Sequence, residues 1–233
     1  GTKKNQGGMK GVWENKWFAV PVLIFLVACT LLLFVVPYGD EILFFNKWRE
    51  EPYNSIFRIC TAFGEGFVYG AIILAAFRWR YRFSLLIALS GMLILPVGYV
   101  LKDKIAVERP KTFFEHKGIY GDVVVVPDVK LNSGRTSFPS GHTMSAFALY
   151  SMLTLIMGRR YERWGLFFAL LAILVAISRI FLVQHFLADI LAGAVAGLAC
   201  AQFLWWLNGR PFFQRLTVLD KGIRKKREAR SEK

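Results

Sequence analysis

Residues 164–207 read WGLFFALLAILVAISRIFLVQHFLADILAGAVAGLACAQFLWWL. This stretch contains two apolar runs, 164–182 and 186–207, each close to the roughly 20 residues that a helix needs to cross the hydrocarbon core of a bilayer. Polar residues collect where the two runs meet: Ser178, Arg179, His185 and Asp189. Because only a short turn joins the runs, the stretch predicts two antiparallel membrane helices whose polar residues lie at the same membrane face.

Four more apolar stretches precede this pair, at 17–36, 56–77, 83–101 and 143–157. The last of them is short on its own and needs the residues before it to reach across a bilayer. The chain of 233 residues is 55% hydrophobic, and its mean hydropathy of +0.41 is too high for an ordinary soluble domain. We therefore predict an all-α integral membrane protein with six transmembrane helices.

The formal net charge is +14, and the basic residues are concentrated in alternate loops. The segments RWRYR at 78–82, GRRYER at 158–163 and the tail at 221–233 are basic, whereas the loop at 37–54 holds four acidic and two basic residues. The positive-inside rule then places both termini in the cytoplasm. It places the 178–189 turn at the periplasmic or exterior face of the cytoplasmic membrane. A basic excess confined to membrane loops favours the lipid bilayer, and not nucleic acid, as the partner.

The chain divides into three predicted parts. Residues 1–10 have the composition of an added or disordered leader, 11–209 form the membrane domain, and 210–233 form a basic cytoplasmic tail. We expect the tail to be a solvated end that sets topology, with a specific lipid-headgroup site as the alternative. Three cysteines lie within apolar runs: Cys29, Cys60 and Cys200. Without C-x-x-C spacing, we interpret them as packing residues and not as disulfides or metal ligands.

Two further polar clusters fall at the same predicted membrane face as the 178–189 turn: Lys102 with Arg109, and Ser140 with Gly141 and His142. The lysine and the two arginines of the set supply three cations, and guanidinium groups make forked contacts with oxyanions. A helix that starts near Ser140 offers free backbone N–H groups to an anion, and Gly141 lets the backbone come close to a ligand. These features predict a phosphate-binding cradle.

The two histidines of this face add reactive groups to the cradle. One can act as a nucleophile and the other as a general acid. Asp189 follows His185 by four residues, so it shares the same helical face and can keep one ring nitrogen protonated. Structural alternatives exist for single residues: Arg179 can snorkel to the interface, Asp189 can be a helix N-terminal charge, and Lys102 can be an anchor. Their collection with His142 at one membrane face favours a functional site.

Arg58 and Glu65 lie inside the apolar stretch 56–77 and are seven residues apart. In a continuous helix they share a face, so we expect a structural ion pair in the bundle interior. A role near the substrate is the alternative.

At this point the pattern resembles a known family. Its three parts are Lys102-x6-Arg109-Pro110, then Pro139-Ser140-Gly141-His142, then Ser178-Arg179-x5-His185-x3-Asp189. Together, on six predicted spans, they resemble the three-part signature of the type 2 phosphatidic acid phosphatase superfamily, with every position filled in order. The resemblance covers the chain from the first predicted helix to the sixth.

This resemblance implies a role for each matching residue. His185 is the implied nucleophile that forms a phosphohistidine, Asp189 orients it, and His142 protonates the leaving oxygen. The implied phosphate-binding residues are Lys102, Arg109, Ser140, Gly141 and Arg179. Members of the family typically need no divalent metal, so no cofactor is expected.

The expected activity is removal of phosphate from a membrane lipid phosphate or diphosphate of the undecaprenyl diphosphate, phosphatidylglycerophosphate or phosphatidic acid type. A lipid A 1-phosphatase is an alternative within the same chemistry, and the loop at 111–137 is where headgroup choice is expected to lie. Vanadium haloperoxidases share the phosphate pocket, but they are soluble and this chain is not. A lipid transporter, or a non-catalytic lipid-phosphate binder, is the alternative from another class.

Overall fold

The computed structural model describes residues 11–223, and its regular structure there is entirely helical. The predicted all-α architecture is therefore confirmed. The expected leader at 1–10 and the end of the tail at 224–233 lie outside the described residues. The α-helices are α1 (Lys16–Val35), α2 (Asp40–Phe44), α3 (Tyr53–Ala62), α4 (Gly66–Phe77), α5 (Tyr81–Ile105), α6 (Pro110–His116), α7 (Gly141–Met157), α8 (Trp164–Phe181), α9 (Leu187–Asn208) and α10 (Pro211–Arg215).

Within residues 11–223, four segments are long and apolar enough to cross a membrane: α1, Tyr81–His116 (which contains α5 and α6), α8 and α9. The bent pair α3 and α4 makes a fifth if it is counted as one span. The remaining predicted span, 143–157, corresponds to α7, whose 17 residues fall short of the roughly 20 that a bilayer requires. Four to five apolar spans are thus found, and the sixth stays a prediction.

The second predicted span, 56–77, is broken and not continuous. Its two halves, α3 and α4, meet at an angle of 52° across the break that contains Gly64. The bend removes the shared helical face of Arg58 and Glu65, so their predicted ion pair is wrong. Arg58 Nη2 instead lies 3.2 Å from Glu51 Oε1, and its Nη1 lies 3.8 Å from Asp128 Oδ2. These partners are well exposed, so the pairs add little stability.

Helix α7 lies at the centre of the bundle, between α5, α8 and α9, and most of its residues are buried. Its closest approach is to the face of α9 that contains Gly193 and Gly197. A Cβ atom on Gly193 would lie 2.7 Å from the Ser140 carbonyl oxygen, and one on Gly197 would overlap the carbonyl oxygen of Met144. Such small residues let two membrane helices pack backbone to backbone. The start of α7 is thereby held against the first turns of α9, where Ser140 N–H donates to the carbonyl of Asp189 at 3.0 Å.

A buried arginine fixes the C-terminal end of α8. Arg49 Nε donates to the Phe181 carbonyl at 2.7 Å, and its Nη2 donates to the Ile42 carbonyl at 2.9 Å. Burial lowers the pKa of Arg49 to about 10, which leaves it charged at neutral pH. The guanidinium therefore satisfies carbonyls that the helix end leaves free, and it ties α8 to the loop at 37–54.

A second buried arginine fixes the opposite end of the bundle. Arg82 Nε and Nη2 lie 2.8 Å and 3.0 Å from the two carboxylate oxygens of Asp220. The same guanidinium donates to the carbonyls of Phe213 and Leu216 and to the side chain of Asn208. The first part of the predicted tail, 210–223, is thus bound to the membrane domain.

Candidate active site

The residues predicted for the site come from five separate segments and meet at one end of the bundle. Lys102 is in the last turn of α5, Arg109 caps the start of α6, and Arg179 is in the last turn of α8. The start of α7 and the turn into α9 complete the set: Ser140, Gly141, His142, His185 and Asp189. Every predicted site residue therefore belongs to a single cluster.

His185 and Asp189 form a buried pair, with 2% and 1% of their surfaces exposed. His185 Nδ1 lies 3.4 Å from Asp189 Oδ2, and the backbone N–H of Phe186 donates to the same oxygen at 2.9 Å. The other ring nitrogen, Nε2, faces Arg109 Nη1 at 3.4 Å. This network assigns the ring proton to Nδ1 and leaves the lone pair of Nε2 directed at the cations.

The environment keeps the His185 imidazole neutral. Burial lowers its pKa below the ordinary histidine value, and the charges of Arg179 and Arg109 lower it further, while Asp189 offsets part of the effect. A neutral ring with an unshared pair on Nε2 is what nucleophilic attack requires.

The three cations of the cluster are available to an anion. Among the described residues, none of Lys102, Arg109 and Arg179 forms an ion pair with a carboxylate within 4.0 Å. Lys102 Nζ donates to the Thr136 carbonyl at 2.8 Å, and Arg109 Nη1 donates to the Gln184 carbonyl at 3.2 Å. Neutral partners thus fix the positions of these groups without cancelling their charge.

Arg179 is the most constrained of the three. Only 6% of its surface is exposed, and its Nη1 donates to Thr61 Oγ1 at 2.6 Å. Its Nε is buried and has no hydrogen-bond partner among residues 11–223. A buried donor without a partner costs free energy, and such a group in a native fold calls for an explanation. A phosphate oxygen bound in the cluster would supply the missing acceptor.

The start of α7 adds a helix N-terminus to the cations. Ser140 is the N-cap, and its Oγ accepts hydrogen bonds from Thr143 N at 3.4 Å and from Thr143 Oγ1 at 3.0 Å. A Cβ atom on Gly141 would meet no other atom within 4 Å, so there is open space beside this backbone. His142 is half-buried, and it lies within electrostatic reach of all three cations and of His185.

The structure also identifies residues of the cluster that the sequence analysis missed. Ser137 contacts both members of the His185–Asp189 pair, Thr136 contacts two of the cations, and Thr61 holds the third. Ser137 stands only two residues before the PSGH motif, which was the one available signal. No signal pointed to Thr61, because its position depends on the break between α3 and α4.

Among residues 11–223 there is no group of three or more histidine, cysteine, aspartate or glutamate side chains that could hold a metal ion. The cysteines are free thiols, and Cys29 and Cys200 are buried in the bundle.

Two curated proteins share local sequence similarity with the chain. It is 31% identical to a lipid A 1-phosphatase of Porphyromonas gingivalis over 96 residues, which are 41% of this chain and 21% of the relative. It is 33% identical to the bacitracin transport permease protein BcrC of Bacillus licheniformis over 87 residues, 36% of this chain and 41% of the relative. The chain thus matches about a fifth and about two fifths of these relatives' lengths.

Two solved structures share the fold. Aquifex aeolicus LpxE superposes with a TM-score of 0.59 at 24% identity, covering 71% of this chain and 92% of that one. A transmembrane PAP2-type phosphatidylglycerolphosphate phosphatase from Bacillus subtilis gives a TM-score of 0.56 at 22% identity, covering 86% and 98%.

The sequence profile of the PAP2 superfamily matches residues 79–212, which is more than half of the chain. This region extends from just before α5 to the start of α10, so it includes all three predicted signature motifs. The chain therefore belongs to the PAP2 superfamily, the type 2 phosphatidic acid phosphatases that its motifs resemble.

Proposed function

We propose that this protein is a metal-independent phosphatase that removes phosphate from a membrane lipid phosphate or diphosphate through a phosphohistidine on His185. The observation that carries the proposal is the orphaned Nε of Arg179, buried in a cluster of unpaired cations next to the His185–Asp189 pair. A bound phosphate would satisfy this donor, and it would place phosphorus where a neutral imidazole can reach it.

In the first step, the Nε2 lone pair of His185 attacks phosphorus, and the P–O bond to the lipid breaks. The proton on Nδ1 stays on the ring beside Asp189, which stabilises the positive charge of the phosphorylated imidazole. His142 gives its proton to the departing oxygen. The products are a phosphohistidine and a lipid alcohol, or a lipid monophosphate when the substrate is a diphosphate.

In the second step, water attacks the phosphorus atom from the side that the lipid has left. The neutral His142 takes a proton from this water, the P–Nε2 bond breaks, and its electron pair returns to Nε2. Inorganic phosphate leaves and both histidines regain their starting states. Lys102, Arg109 and Arg179 bind the equatorial oxygens in both steps, where charge is spread during phosphoryl transfer.

The substrate class follows from where the site lies in the bundle. The cluster occupies one end of a set of apolar helices, so an acyl or prenyl chain can stay in the bilayer while the headgroup enters the site. Undecaprenyl diphosphate, phosphatidylglycerophosphate and phosphatidic acid all have this form. The local similarity to a lipid A 1-phosphatase supports lipid A as a further candidate, with the loop at 111–137 choosing among headgroups.

The orientation proposed for the site is periplasmic or exterior, with both termini in the cytoplasm of a bacterial cell. The charge distribution supports it, because basic loops lie at the end of the bundle opposite to the cluster.

The test is phosphate release by the purified protein in detergent with excess EDTA, on a panel of these four lipids. His185→Ala is the inactive variant. His116→Ala is the matched control, since His116 is an exposed residue of α6 that pairs with Glu108 at 3.3 Å, away from Asp189. We expect release from the wild type and from the His116 variant, and none from the His185 variant. Release that requires added divalent metal would contradict the proposal.

A lipid carrier is the second candidate, and one observation favours it: the name of the Bacillus licheniformis relative describes a transport permease. A carrier would bind a labelled lipid phosphate tightly and release no phosphate from any member of the panel. Turnover that depends on His185 would exclude a purely carrying role.

A further inference from the structure

Ser137 connects the reacting histidine to its carboxylate, and no signature motif includes it. Its Oγ lies 2.5 Å from Asp189 Oδ2 and 3.5 Å from His185 Nδ1, and the residue has no exposed surface. Its backbone N–H donates to the Val107 carbonyl at 3.0 Å, which fixes the serine against the segment before α6. The hydroxyl is therefore held at the contact between nucleophile and carboxylate.

A single carboxylate oxygen receives all the donors of this arrangement. Asp189 Oδ2 accepts from Ser137 Oγ, from the backbone N–H of Phe186 at 2.9 Å and from His185 Nδ1 at 3.4 Å. Charge-assisted N–H···O bonds are ordinarily about 2.7–2.9 Å long. The bond from the histidine is thus the weakest of the three, and the serine has the shortest contact.

We propose that Ser137 is a positioning residue that weakens the hold of Asp189 on His185 and so speeds the breakdown of the phosphohistidine. The inference rests on the proposed function, because it concerns the second step of that reaction. Donation from the serine spreads the carboxylate charge over a second donor. Less of that charge is then available to the Nδ1–H of the ring.

The two steps make opposite demands on the imidazole. A strong bond from Nδ1–H to the carboxylate makes Nε2 a better nucleophile, which favours formation of the P–Nε2 bond. The same bond makes the ring a poorer leaving group when water attacks phosphorus, because the electron pair must return to Nε2. By weakening the bond from Nδ1–H to the carboxylate, Ser137 favours hydrolysis of the phosphohistidine over its formation.

The alternative is that Ser137 only satisfies a buried carboxylate, as buried polar groups generally do. Loss of the hydroxyl would then disturb the geometry of the pair and slow both steps. The two possibilities predict different ratios of the rate constants for phosphoenzyme formation and decay. With a purely structural role, loss of the hydroxyl lowers both rate constants, whereas with a positioning role it lowers only the rate constant for decay.

The experiment measures both rate constants by rapid quench with a ³²P-labelled lipid phosphate, using the full-length protein in detergent. The variant is Ser137→Ala. The matched control is Ser90→Ala, which removes another fully buried hydroxyl, one that donates to the Ile87 carbonyl of its own helix at 2.8 Å. We expect decay of the phosphoenzyme to slow about tenfold in Ser137→Ala, with formation at least as fast as in the wild type. The control should match the wild type in both steps.

Two conservative variants complete the design. Ser137→Thr keeps the donor and should restore the decay rate. Ser137→Cys replaces the hydroxyl by a weak donor and should fall between wild type and alanine, and it serves as the primary variant if the alanine protein does not fold. Slower formation, or equal slowing of both steps, would overturn the inference while leaving the proposed function intact. A wild type that forms no phosphoenzyme on His185 would instead overturn the proposed function, and the inference with it.

Discussion

The two ends of the bundle each contain a buried arginine, and the two residues differ in what they bind. Arg82 and Arg179 are equally buried, each with 6% of its surface exposed. Arg82 donates to both carboxylate oxygens of Asp220, to Asn208 and to two carbonyls. Arg179 donates to the hydroxyl of Thr61, and its Nε has no partner in the described part of the chain. Burial alone therefore does not distinguish a structural arginine from one that is positioned for a ligand, whereas its set of partners does.

The largest expected effect comes from replacing the forked guanidinium group of Arg179. Arg179→Lys keeps the charge but loses the forked donors, so we expect kcat/KM for lipid phosphate to fall about 10³-fold. Stability should not fall, because the substitution also removes the orphaned Nε. The measurement is phosphate release together with thermal unfolding in detergent. Arg82→Lys is the matched variant at the other end, and it should lower the unfolding temperature while the folded protein keeps its kcat/KM. Equal losses of activity in both variants would remove the distinction between the two arginines.

Two glycines allow the same comparison between a position next to a bound ligand and a position in a packing contact. Gly141 faces open space, so Gly141→Ala should fold as the wild type does and lose about 10²-fold in kcat/KM because a methyl group displaces the phosphate. Gly197→Ala would overlap the Met144 carbonyl and should cost about 1–3 kcal/mol of stability by forcing α7 and α9 apart. Unfolding and turnover measured on both variants check this. Normal turnover in Gly141→Ala would show that the open space does not hold the phosphate.

Removal of the Arg82 guanidinium tests how the end of the bundle opposite to the candidate site is held together. Arg82→Met leaves the Phe213 and Leu216 carbonyls without their donor, and we expect a loss of about 2 kcal/mol in the free energy of unfolding. Protease cleavage within 210–223 should become faster, because the segment loses its hydrogen bonds to the Arg82 side chain, while the backbone bond from Tyr81 N–H to the Lys221 carbonyl at 2.9 Å is kept. Arg78→Met is the control, since Arg78 is exposed at the end of α4. An unchanged cleavage rate would show that the segment is held by other contacts.

The smallest expected effect concerns protonation of His185. Its pKa is lowered by burial and by the neighbouring arginines, so the ring stays neutral at pH 6, where an ordinary histidine with a pKa of about 6.5 is mostly protonated. The unfolded chain takes up this proton near pH 6.5 and the folded one does not, so His185 makes unfolding easier as the pH falls below that value. Histidine ¹⁵N spectra, assigned with His185→Ala, should show a neutral ring with its proton on Nδ1. An imidazolium signal at pH 6 would contradict the assignment.

The grouping of the motif residues at one end of the bundle could be predicted because each motif is local in the sequence and the helix topology brings the motifs together. Three motifs with fixed spacing were each placed at a helix end, and alternate helix ends of a bundle share a membrane face. Residues such as His185 and Arg179 could therefore be grouped from their positions in the chain alone. The N-cap role of Ser140 also follows from the sequence, since a serine that precedes a glycine and an apolar run is a common helix start.

The features that escaped prediction depend on contacts between distant segments. The stretch 56–77 is apolar on both sides of the break at 63–65, so hydropathy gave no reason to divide it, and the position of Thr61 beside Arg179 was missed with it. Arg82 was counted as a loop charge that sets topology, because its partner Asp220 stands 138 residues later in the chain. Ser137 belongs to the loop at 111–137, where headgroup choice is expected to lie. Nothing in the sequence shows that this loop brings the Ser137 hydroxyl into contact with both His185 and Asp189.

The most direct test of the central claim is to trap the phosphorylated enzyme. The wild type, mixed with a ³²P-labelled lipid phosphate in excess EDTA and quenched in alkali, should carry label that is stable to base, labile to acid and located on His185 by mass spectrometry. His185→Asn should carry no label, and His116→Asn should carry as much as the wild type. Phosphate release without any labelled protein, or label that persists in His185→Asn, would contradict the account.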